Sequence, residues 1–301
     1  MTAATFLRIG TRRAQLVGCL LLVALVVSGC SGGGQGAYII RPHYFWDSLL
    51  SPSPTIVNAI GLTLGISVVA QFIGVVLGVF AAMGKMARFV PFRIVANFYI
   101  WIFRGTPLLV QLSFLFFGLQ TARVFMWPSV VFGPIDILPE ILAGIVILGV
   151  NEGAYMAEIV RAGIMAVDPG QTEAAKSLGM TFRLTMTRIV LPQAARVIIP
   201  PLGNEFNNML KTTSLLSALS IFELYTTFSN LSAVSFAPFE LFGACAIWYL
   251  LLTTLWGFVQ SWIERKFAKG TVGSQTQGPG WRMRLMGRTS FDADARSLGG
   301  H

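Results

Sequence analysis

The stretch IVNAIGLTLGISVVAQFIGVVLGVFAAM, from Ile56 to Met83, contains no charged residue. A helix that crosses the hydrocarbon core of a bilayer needs about 20 consecutive, mainly apolar residues. This stretch therefore predicts a transmembrane helix. Four other stretches predict spans on the same ground: Ile94–Gln120, Leu138–Val160, Val197–Ile221 and Pro238–Ile263.

The composition supports the same fold class. Of the 301 residues, 54% are hydrophobic and only 12% are charged, and the mean hydropathy is +0.68. Soluble domains typically contain about 25% charged residues. We therefore expect an all-α, polytopic membrane protein with five spanning helices surrounded by membrane lipids.

Lysine and arginine residues are concentrated in alternate loops. The basic segments contain Lys85, Arg88 and Arg93, then Arg161, Lys176, Arg183, Arg188 and Arg196, and finally Arg265, Lys266 and Lys269. The opposite loops contain Arg41 and Arg123, and no basic residue lies between Phe222 and Ala237. By the positive-inside rule, the basic loops and the C-terminus face the cytoplasm. The net charge of +9 is thus explained by topology, and we predict no nucleic-acid binding.

The residues that usually bind metals or form disulfides are few. The three cysteines, Cys19, Cys30 and Cys245, form no CxxC pair, and the only histidines are His43 and His301. Neither a metal site nor a disulfide framework is supported. We predict no catalytic residues, no metal site and no cofactor on this chain.

The first 30 residues have two interpretations. Three arginines precede the apolar run Ala14–Gly29, which is followed by Cys30. This layout is typical of a cleaved secretory signal and resembles a bacterial lipobox, in which the cysteine is lipidated, but it also fits an uncleaved anchor helix. Both interpretations put the glycine-rich linker within 31–55 outside the cytoplasm. At the other end, residues 268–301 predict a disordered cytoplasmic tail.

The loop between the third and fourth predicted spans contains two short helix patterns. Asp168 is a helix-capping residue, Pro169 suits a first helical turn, and Gly179 suits a left-handed stop. Thr181 predicts the cap of a second helix, which Pro192 is expected to end or kink. Two short helices at a membrane surface fit a groove on another protein, although an ordinary solvated loop is the simpler alternative.

Several motifs resemble a known transporter family. Glu173-Ala174-Ala175, followed by Gly179 and by Ile189-x-Leu191-Pro192, resembles the EAA loop of ABC importer membrane subunits. The stretches 104–111, 154–158, 201–206 and 211–215 are similar to the polar amino acid uptake branch, whose permeases carry substrates such as histidine, glutamate, glutamine and arginine. The resemblance covers roughly residues 45 to 267.

This resemblance implies a five-helix type I permease of the bacterial inner membrane. The permease domain would span 56–267, with a coupling loop at 165–192. Two copies or paralogues would work with two cytoplasmic ATPase subunits, which bind ATP and Mg²⁺, and with an extracytoplasmic amino-acid-binding protein. This chain itself has no G-x-x-x-x-G-K-[ST] loop.

The same resemblance assigns roles within the EAA loop. Glu173 would be the polar contact with the ATPase, and Gly179 would set the turn. Ala174, Ala175 and Leu178 would pack in the cleft of the ATPase.

Polar residues at membrane depth are the candidates for a substrate path, since such residues are costly against lipid. At about 100° per residue, Asn151, Tyr155 and Glu158 share one helical stripe, with Glu152 to its side. Glu158 is a candidate contact for a substrate ammonium or guanidinium group. The equally weighted alternative is a helix-surface pair with Arg161.

The fourth predicted span and the second contain further polar candidates. Thr212 and Ser214 are candidate hydroxyl contacts for an amino acid, with polar packing between helices as the alternative. Arg104 lies beside Pro107, where freed backbone amides and the guanidinium could hold a carboxylate. The favoured alternative for Arg104 is structural, with its charge near the cytoplasmic end or paired with an acid.

These observations favour a permease subunit of an ATP-driven importer for polar amino acids, operating by alternating access. The alternative is a secondary transporter or channel for small polar solutes, which would predict inverted repeats and ion-coupling acids at mid-membrane. No clear internal repeat is visible. An enzyme is not supported, because no nucleophile, base and metal set converges in the sequence.

Overall fold

The computed structural model describes residues 39–133 and 135–268, and most of them are helical. The α-helices are α1 (Pro42–Leu50), α2 (Pro54–Met86), α3 (Val90–Gly105), α4 (Leu108–Ser113), α5 (Leu119–Thr121), α6 (Pro139–Met165), α7 (Pro169–Ser177), α8 (Phe182–Thr185), α9 (Leu191–Thr212), α10 (Leu224–Ser235) and α11 (Pro238–Ala268). The predicted signal or anchor segment 1–30, with Cys30, lies outside the described residues. So does the predicted tail after Ala268.

Three continuous helices among the described residues are long and apolar enough to cross a membrane. They are Pro54–Met86, Pro139–Met165 and Pro238–Phe267, and they correspond to the first, third and fifth predicted spans. Helix α2 begins at Ser53, whose hydroxyl accepts a hydrogen bond from the Ile56 amide at 3.4 Å, with Pro54 in the first turn. Its 33 residues extend about 50 Å at 1.5 Å per residue, which exceeds the bilayer core of about 30 Å.

The second predicted span, Ile94–Gln120, is not one continuous helix. It consists of Val90–Gly105 and Leu108–Thr121, whose axes are bent by 105°. The prediction of one continuous helix is therefore wrong, and the bent pair is either a broken span or a re-entrant loop. The cause is Pro107, which has no amide proton and forces the preceding Thr106 into an extended conformation, with φ −117° and ψ 144°.

The fourth predicted span, Val197–Ile221, also differs from the structure. Helix α9 ends at Thr212, and a 3-10 helix, Thr213–Leu219, follows it and stops at Ser220 in a left-handed conformation. Helix α9 contains many asparagine, glutamate and lysine residues. By composition it is therefore not among the helices that are apolar enough to cross a membrane. The predicted span is therefore helical to Leu219, but its last turns are a 3-10 helix rather than an α-helix.

The segment before α9 is more continuous than predicted. Thr181 caps α8 as expected, since its hydroxyl accepts from the Leu184 amide at 3.4 Å. Pro192 does not end the helix, because the chain passes from α8 through a π-helical segment, Met186–Val190, directly into α9. We attribute this continuity to the wider hydrogen-bonded turn of the π segment, which accommodates the missing amide proton of a proline that follows it.

Three features are absent from the sequence prediction. Helix α1 forms within the predicted extracytoplasmic linker 31–55, with Pro42 in its first turn. A short antiparallel hairpin pairs β1 (Val130–Phe132) with β2 (Ile135–Ile137) before α6. Helix α10 forms where only a loop was expected, and its cap is Glu223, which accepts hydrogen bonds from the amides of Tyr225 and Thr226 at 3.0 and 2.8 Å. Glutamate is not among the preferred capping residues, so this helix start carried little sequence signal.

The core lies where α2 packs against α6, and large apolar side chains point outward. One buried cluster includes Ile66, Leu112, Ile147 and Leu216, and a second contains Ile56, Leu224, Phe228 and Leu241. Exposed side chains include Phe72, Phe80, Trp101, Leu255 and Phe258, each more than 60% exposed. Such an exterior is costly in water but suits hydrocarbon.

Glycine residues on α2 determine how closely it approaches α6. A Cβ atom added at Gly78 would lie 2.3 Å from the Cβ of Met156, and one at Gly74 would lie 2.6 Å from Cγ of Glu152. At Gly61 and Gly65 nothing lies within 4 Å. Of these four glycines, only Gly74 and Gly78 are therefore required for the close contact with α6.

We expect Gly78→Ala to destabilise the chain, because the new methyl group cannot fit against Met156. Overpacking of this kind costs about 1–3 kcal/mol. The matched change on the same helix, Gly65→Ala, should be neutral or stabilising by about 0.5–1 kcal/mol, because alanine is the better helix former. Thermal unfolding of both variants in one detergent measures the difference. Equal shifts in Tm would contradict the packing role of Gly78.

Candidate functional site

The polar residues of α6 and α9 meet around one cavity of about 610 Å³. Helix α6 contributes Asn151, Glu152 and Tyr155, α9 contributes Glu205, Asn208, Lys211 and Thr212, and the following 3-10 helix contributes Ser214. Apolar side chains complete the lining. Within the described ranges, no three histidine, cysteine or acidic side chains are grouped as a metal ion would require.

The α6 wall of the cavity is fixed by the break at Pro107. In a continuous helix the carbonyl oxygen of Phe103 would accept from the amide of residue 107, which a proline lacks. Instead, this oxygen accepts from Asn151 Nδ2 at 3.0 Å and from Gln111 Nε2 at 2.9 Å. Asn151 Nδ2 also donates to Gln111 Oε1 at 3.0 Å. The asparagine is thereby held in one orientation beside the cavity.

Glu152 is a buried acid on the same wall, only 7% exposed. Its Oε1 atom has no hydrogen-bond partner among the described residues, and neither does Oε1 of the neighbouring Gln71. An unsatisfied buried acceptor costs about 1–3 kcal/mol, and more when it is charged. The cavity therefore offers an acceptor that a donor or cation entering from outside the chain could satisfy.

The opposite wall, from α9, carries both signs of charge. Thr212 Oγ1 donates to the carbonyl of Asn208 at 2.9 Å, and Ser214 Oγ donates to that of Lys211 at 2.7 Å. Both hydroxyl oxygens keep lone pairs that can accept. Counted with Glu152, the lining contains two carboxylates and one ammonium group, Glu205 being the second acid. If all three are ionised, the lining has a net charge of −1.

The structure brings together four of the five residues predicted for a substrate path. Asn151, Tyr155, Thr212 and Ser214 all line the cavity, whereas Glu158 is not part of its lining. The carboxylate of Glu158 lies 2.5 Å from Lys85 Nζ and 2.9 Å from Arg161 Nη2. This geometry favours the ion-pair alternative. A contact between Glu158 and the substrate stays a prediction.

Several lining residues were missed by the sequence analysis. Glu152 was set to the side of the predicted stripe, yet it lies in the cavity wall together with Tyr155, three residues away. Glu205, Asn208 and Lys211 also line the cavity but were not among the predicted site residues. The signal was available, because one face of α9 carries Glu205, Asn208 and Thr212 at spacings of three and four residues.

Arg104 lies at the end of α3 and contacts the cavity wall indirectly. Its guanidinium carbon is 5.3 Å from the ring centroid of Tyr155, which is a cation–π geometry. No ion pair of Arg104 with an acid occurs among the described residues. The contact with Tyr155 agrees with the favoured structural alternative, and binding of a carboxylate by Arg104 stays a prediction.

The predicted coupling loop has the caps expected from its sequence. Helix α7 begins after Asp168, whose Oδ1 accepts from the Gly170 amide at 2.8 Å. The chain reverses at Gly179, with φ +75°, and the Gly179 amide donates to the carbonyl of Lys176 at 2.9 Å. The helix is therefore short and closed at both ends by its own residues.

The exposed face of this loop differs from the predicted one at one position. Glu173, Ala174 and Leu178 are exposed, with Leu178 at 82%, but Ala175 is only 1% exposed. Ala175 packs inside the chain and cannot also reach another protein without rearrangement. The motif did not indicate Phe182. Its apolar side chain is 74% exposed and lies four residues after Leu178 in the sequence.

Known proteins share both the sequence and the fold. Residues 74–269 match the family described as the inner membrane component of binding-protein-dependent transport systems. An arginine transport system permease protein of Corynebacterium glutamicum is 40% identical over 240 residues, which are 77% of this chain and 75% of that protein. A probable amino-acid permease protein of Bacillus subtilis is 33% identical over 224 residues, covering 74% of this chain and 96% of the relative.

Among solved structures, an amino acid ABC transporter crystallised with histidines contains a chain that is 36% identical. The two chains superpose with a TM-score of 0.67, covering 76% of this chain and 100% of that one. An inward-facing methionine ABC transporter, 18% identical with a TM-score of 0.57, shares the fold. By the family match and by relatives more than 30% identical along most of their length, this chain belongs to the inner membrane components of binding-protein-dependent transport systems.

Proposed function

We propose that this permease passes a cationic amino acid through the cavity between α6 and α9, driven by a separate ATPase. The observation that carries the proposal is a lining with two carboxylates and one ammonium group. Lys211 matches a substrate carboxylate, and the two acids match an ammonium group and a basic side chain. The relative named for arginine transport supports the same class of substrate.

The Oε1 atom of Glu152, which has no hydrogen-bond partner among the described residues, is the feature of this site that most directly indicates a ligand. A substrate ammonium or guanidinium group within hydrogen-bond distance would supply the missing donor and the missing positive charge. Without substrate, the unpaired acceptor makes folding of the chain less favourable in free energy. Binding of the substrate would remove part of this penalty. Glu152 is therefore our candidate for charge recognition, and Thr212 and Ser214 are candidates for accepting further donors.

A second permease copy or a paralogue would close the cavity. Asn208 and Lys211 are exposed on the isolated chain although they line the cavity. Polar and charged groups against lipid are costly, so a protein neighbour on this side is the more stable arrangement. In this assembly the two halves would enclose the substrate path.

We propose that the loop containing α7, together with the C-terminal end of α11, faces the cytoplasm. The support is the bias of lysine and arginine toward these segments. The ATPase would then dock on the exposed Glu173, Ala174 and Leu178, extended by Phe182. The amino-acid-binding protein would dock on the opposite side of the membrane.

Glu152→Gln should lower the uptake of arginine, which serves as the cationic probe, by more than about tenfold. The amide keeps the shape but removes the charge, and hydrogen bonds to charged groups contribute about 1.5–3 kcal/mol. The assay is ATP-dependent uptake by proteoliposomes containing the permease, its ATPase and its binding protein. Glu140→Gln, in the first turn of the same helix, is the matched control and should retain full uptake.

Uptake of glutamine, a neutral probe, separates charge recognition from general damage. If Glu152→Gln reduces glutamine and arginine uptake equally, Glu152 does not recognise substrate charge. If arginine uptake is unchanged, the proposed role of the cavity acid is wrong.

Glu173→Lys should abolish ATP-dependent uptake while the chain remains folded and inserted. Reversal of this exposed charge opposes the polar contact proposed with the ATPase, and like charges at an interface are strongly unfavourable. Co-purification of the ATPase measures the loss of docking directly. The control is Asp136→Lys, a charge reversal on the exposed β2 strand, which should leave docking unchanged.

Uptake that persists without the ATPase, or that is unchanged in the Glu173→Lys variant, would argue against an ATP-driven importer. It would instead favour a secondary transporter for small polar solutes.

A further inference from the structure

A second large cavity lies away from the substrate path, as an apolar groove between α2 and α3. Its volume is about 740 Å³, and its walls include Leu77, Phe80 and Met83 from α2 and Phe92 and Val95 from α3. This volume is within the range of about 300–1,000 Å³ found for small-molecule sites. We refer to this cavity as the α2–α3 groove.

Small residues lie at the base of the α2–α3 groove, where its two helices meet. A Cβ atom at Gly84 would be 3.2 Å from the Cβ of Ala96, so the two helices nearly touch there. Tyr99 is a lining residue that carries a polar atom, and its hydroxyl donates to the carbonyl of Val150 at 2.6 Å. With that hydroxyl engaged in the protein, the groove suits a hydrocarbon occupant.

The length of the α2–α3 groove matches one leaflet of a bilayer. Its α2 side runs from Leu77 toward Ala87. Ten residues of helix rise roughly 15 Å, which is half of a hydrocarbon core about 30 Å thick. An acyl chain that extends from the membrane surface to the midplane has this length.

Two uncompensated arginines lie at the end of the groove where α2 connects to α3. Ala87 and Phe92 line the groove, and the next residues in the chain, Arg88 and Arg93, are exposed. Neither arginine forms an ion pair within residues 39–133 and 135–268, whereas Lys85 nearby is paired with Glu158. The groove therefore has an apolar interior and a free positive charge at one end.

Two exposed phenylalanines lie at the same end of the groove. The rings of Phe89 and Phe92 pack edge to face with centroids 5.2 Å apart, and both are about 60% exposed. These two rings extend the apolar surface of the groove as far as the two arginines.

We propose that the α2–α3 groove is a binding site for one anionic phospholipid of the surrounding bilayer. The phosphate contacts Arg88 and Arg93, and one acyl chain lies along the apolar walls toward Leu77. Arginine forms strong, charge-assisted hydrogen bonds with phosphate, and basic pockets between membrane helices recognise anionic headgroups. A zwitterionic lipid lacks the net charge that the two arginines select.

The bound lipid would stabilise the wall that the groove shares with α6. Tyr99 lines the groove and bonds to Val150, the residue before Asn151 of the substrate cavity. Filling the groove holds Tyr99 in contact with α6. We therefore expect anionic lipid to raise the Tm of the chain as well as to be retained by it.

The test is lipid retention by the purified full-length chain, reconstituted in nanodiscs of phosphatidylcholine with one quarter phosphatidylglycerol and read by native mass spectrometry. Each arginine near an anionic surface contributes about fivefold in affinity, so Arg88→Gln with Arg93→Gln should lower phosphatidylglycerol retention roughly thirtyfold. Arg123→Gln, a change of another exposed arginine after α5, is the matched control. It should leave retention unchanged.

A second variant tests the groove without changing any charge. Ala81→Phe places a ring in the groove interior and should displace the acyl chain, with the arginines intact. The proposal is overturned if phosphatidylcholine and phosphatidylglycerol are retained equally, or if the double arginine variant retains as much phosphatidylglycerol as Arg123→Gln. It is also overturned if Ala81→Phe weakens association between two copies of the chain without changing lipid retention, because the occupant would then be a second copy.

Discussion

The carbonyl oxygen of Phe103 has no backbone donor, because the residue four positions later is Pro107. In a membrane-spanning helix such an oxygen must find another partner, since no water is available in the hydrocarbon core. Gln111 and Asn151 supply it. This requirement joins α4 to α6 and keeps the bend of 105° in a fixed geometry. The orientation of Asn151 at the cavity between α6 and α9 follows from it.

Close packing of α2 on α6 has a second consequence for the cavity. Gly74 allows α2 to approach Glu152 so closely that a methyl group would not fit between them. The acid is therefore buried by a helix, while its Oε1 atom finds no donor there. Burial without a partner is unfavourable for folding. The contact between α2 and α6 stabilises the bundle. It also buries Glu152 with its Oε1 atom unpaired, and this atom is the feature of the site that a ligand could contact.

The sequence predicted those parts of the fold that depend on local pattern. Hydropathy predicted α2, α6 and α11, and capping residues predicted both ends of α7. Hydropathy alone did not predict the division of the second span, because it takes no account of the backbone at Pro107, although that proline was recognised as freeing backbone amides. It also missed α10, whose start depends on hydrogen bonds from Glu223 to the following amides. That cap is an uncommon residue type, and it is held further by Tyr249 from α11.

The candidate site was predictable to the extent that helical periodicity groups residues on one face. Periodicity brought Asn151 and Tyr155 together, but it could not reveal which other helix each face meets. Glu158 meets Lys85, which is distant in sequence, and this long-range contact decided between the two interpretations of Glu158. Glu152 contacts Gln71 and Gly74 of α2 and forms no ion pair with a cation of the described residues.

The two acids of α6 therefore have opposite surroundings although they lie on the same helix. Glu158 is balanced by two cations within the chain, one of them three residues away and the other on α2. Glu152 has no such ion pair among the described residues, and it lines a cavity that is open in the isolated chain. A charge balanced from within contributes to the architecture, whereas a buried acid without an ion pair is neutralised either by a proton or by a cation that enters the cavity. For a transport protein, the compensating charge can be the substrate, because it arrives and leaves.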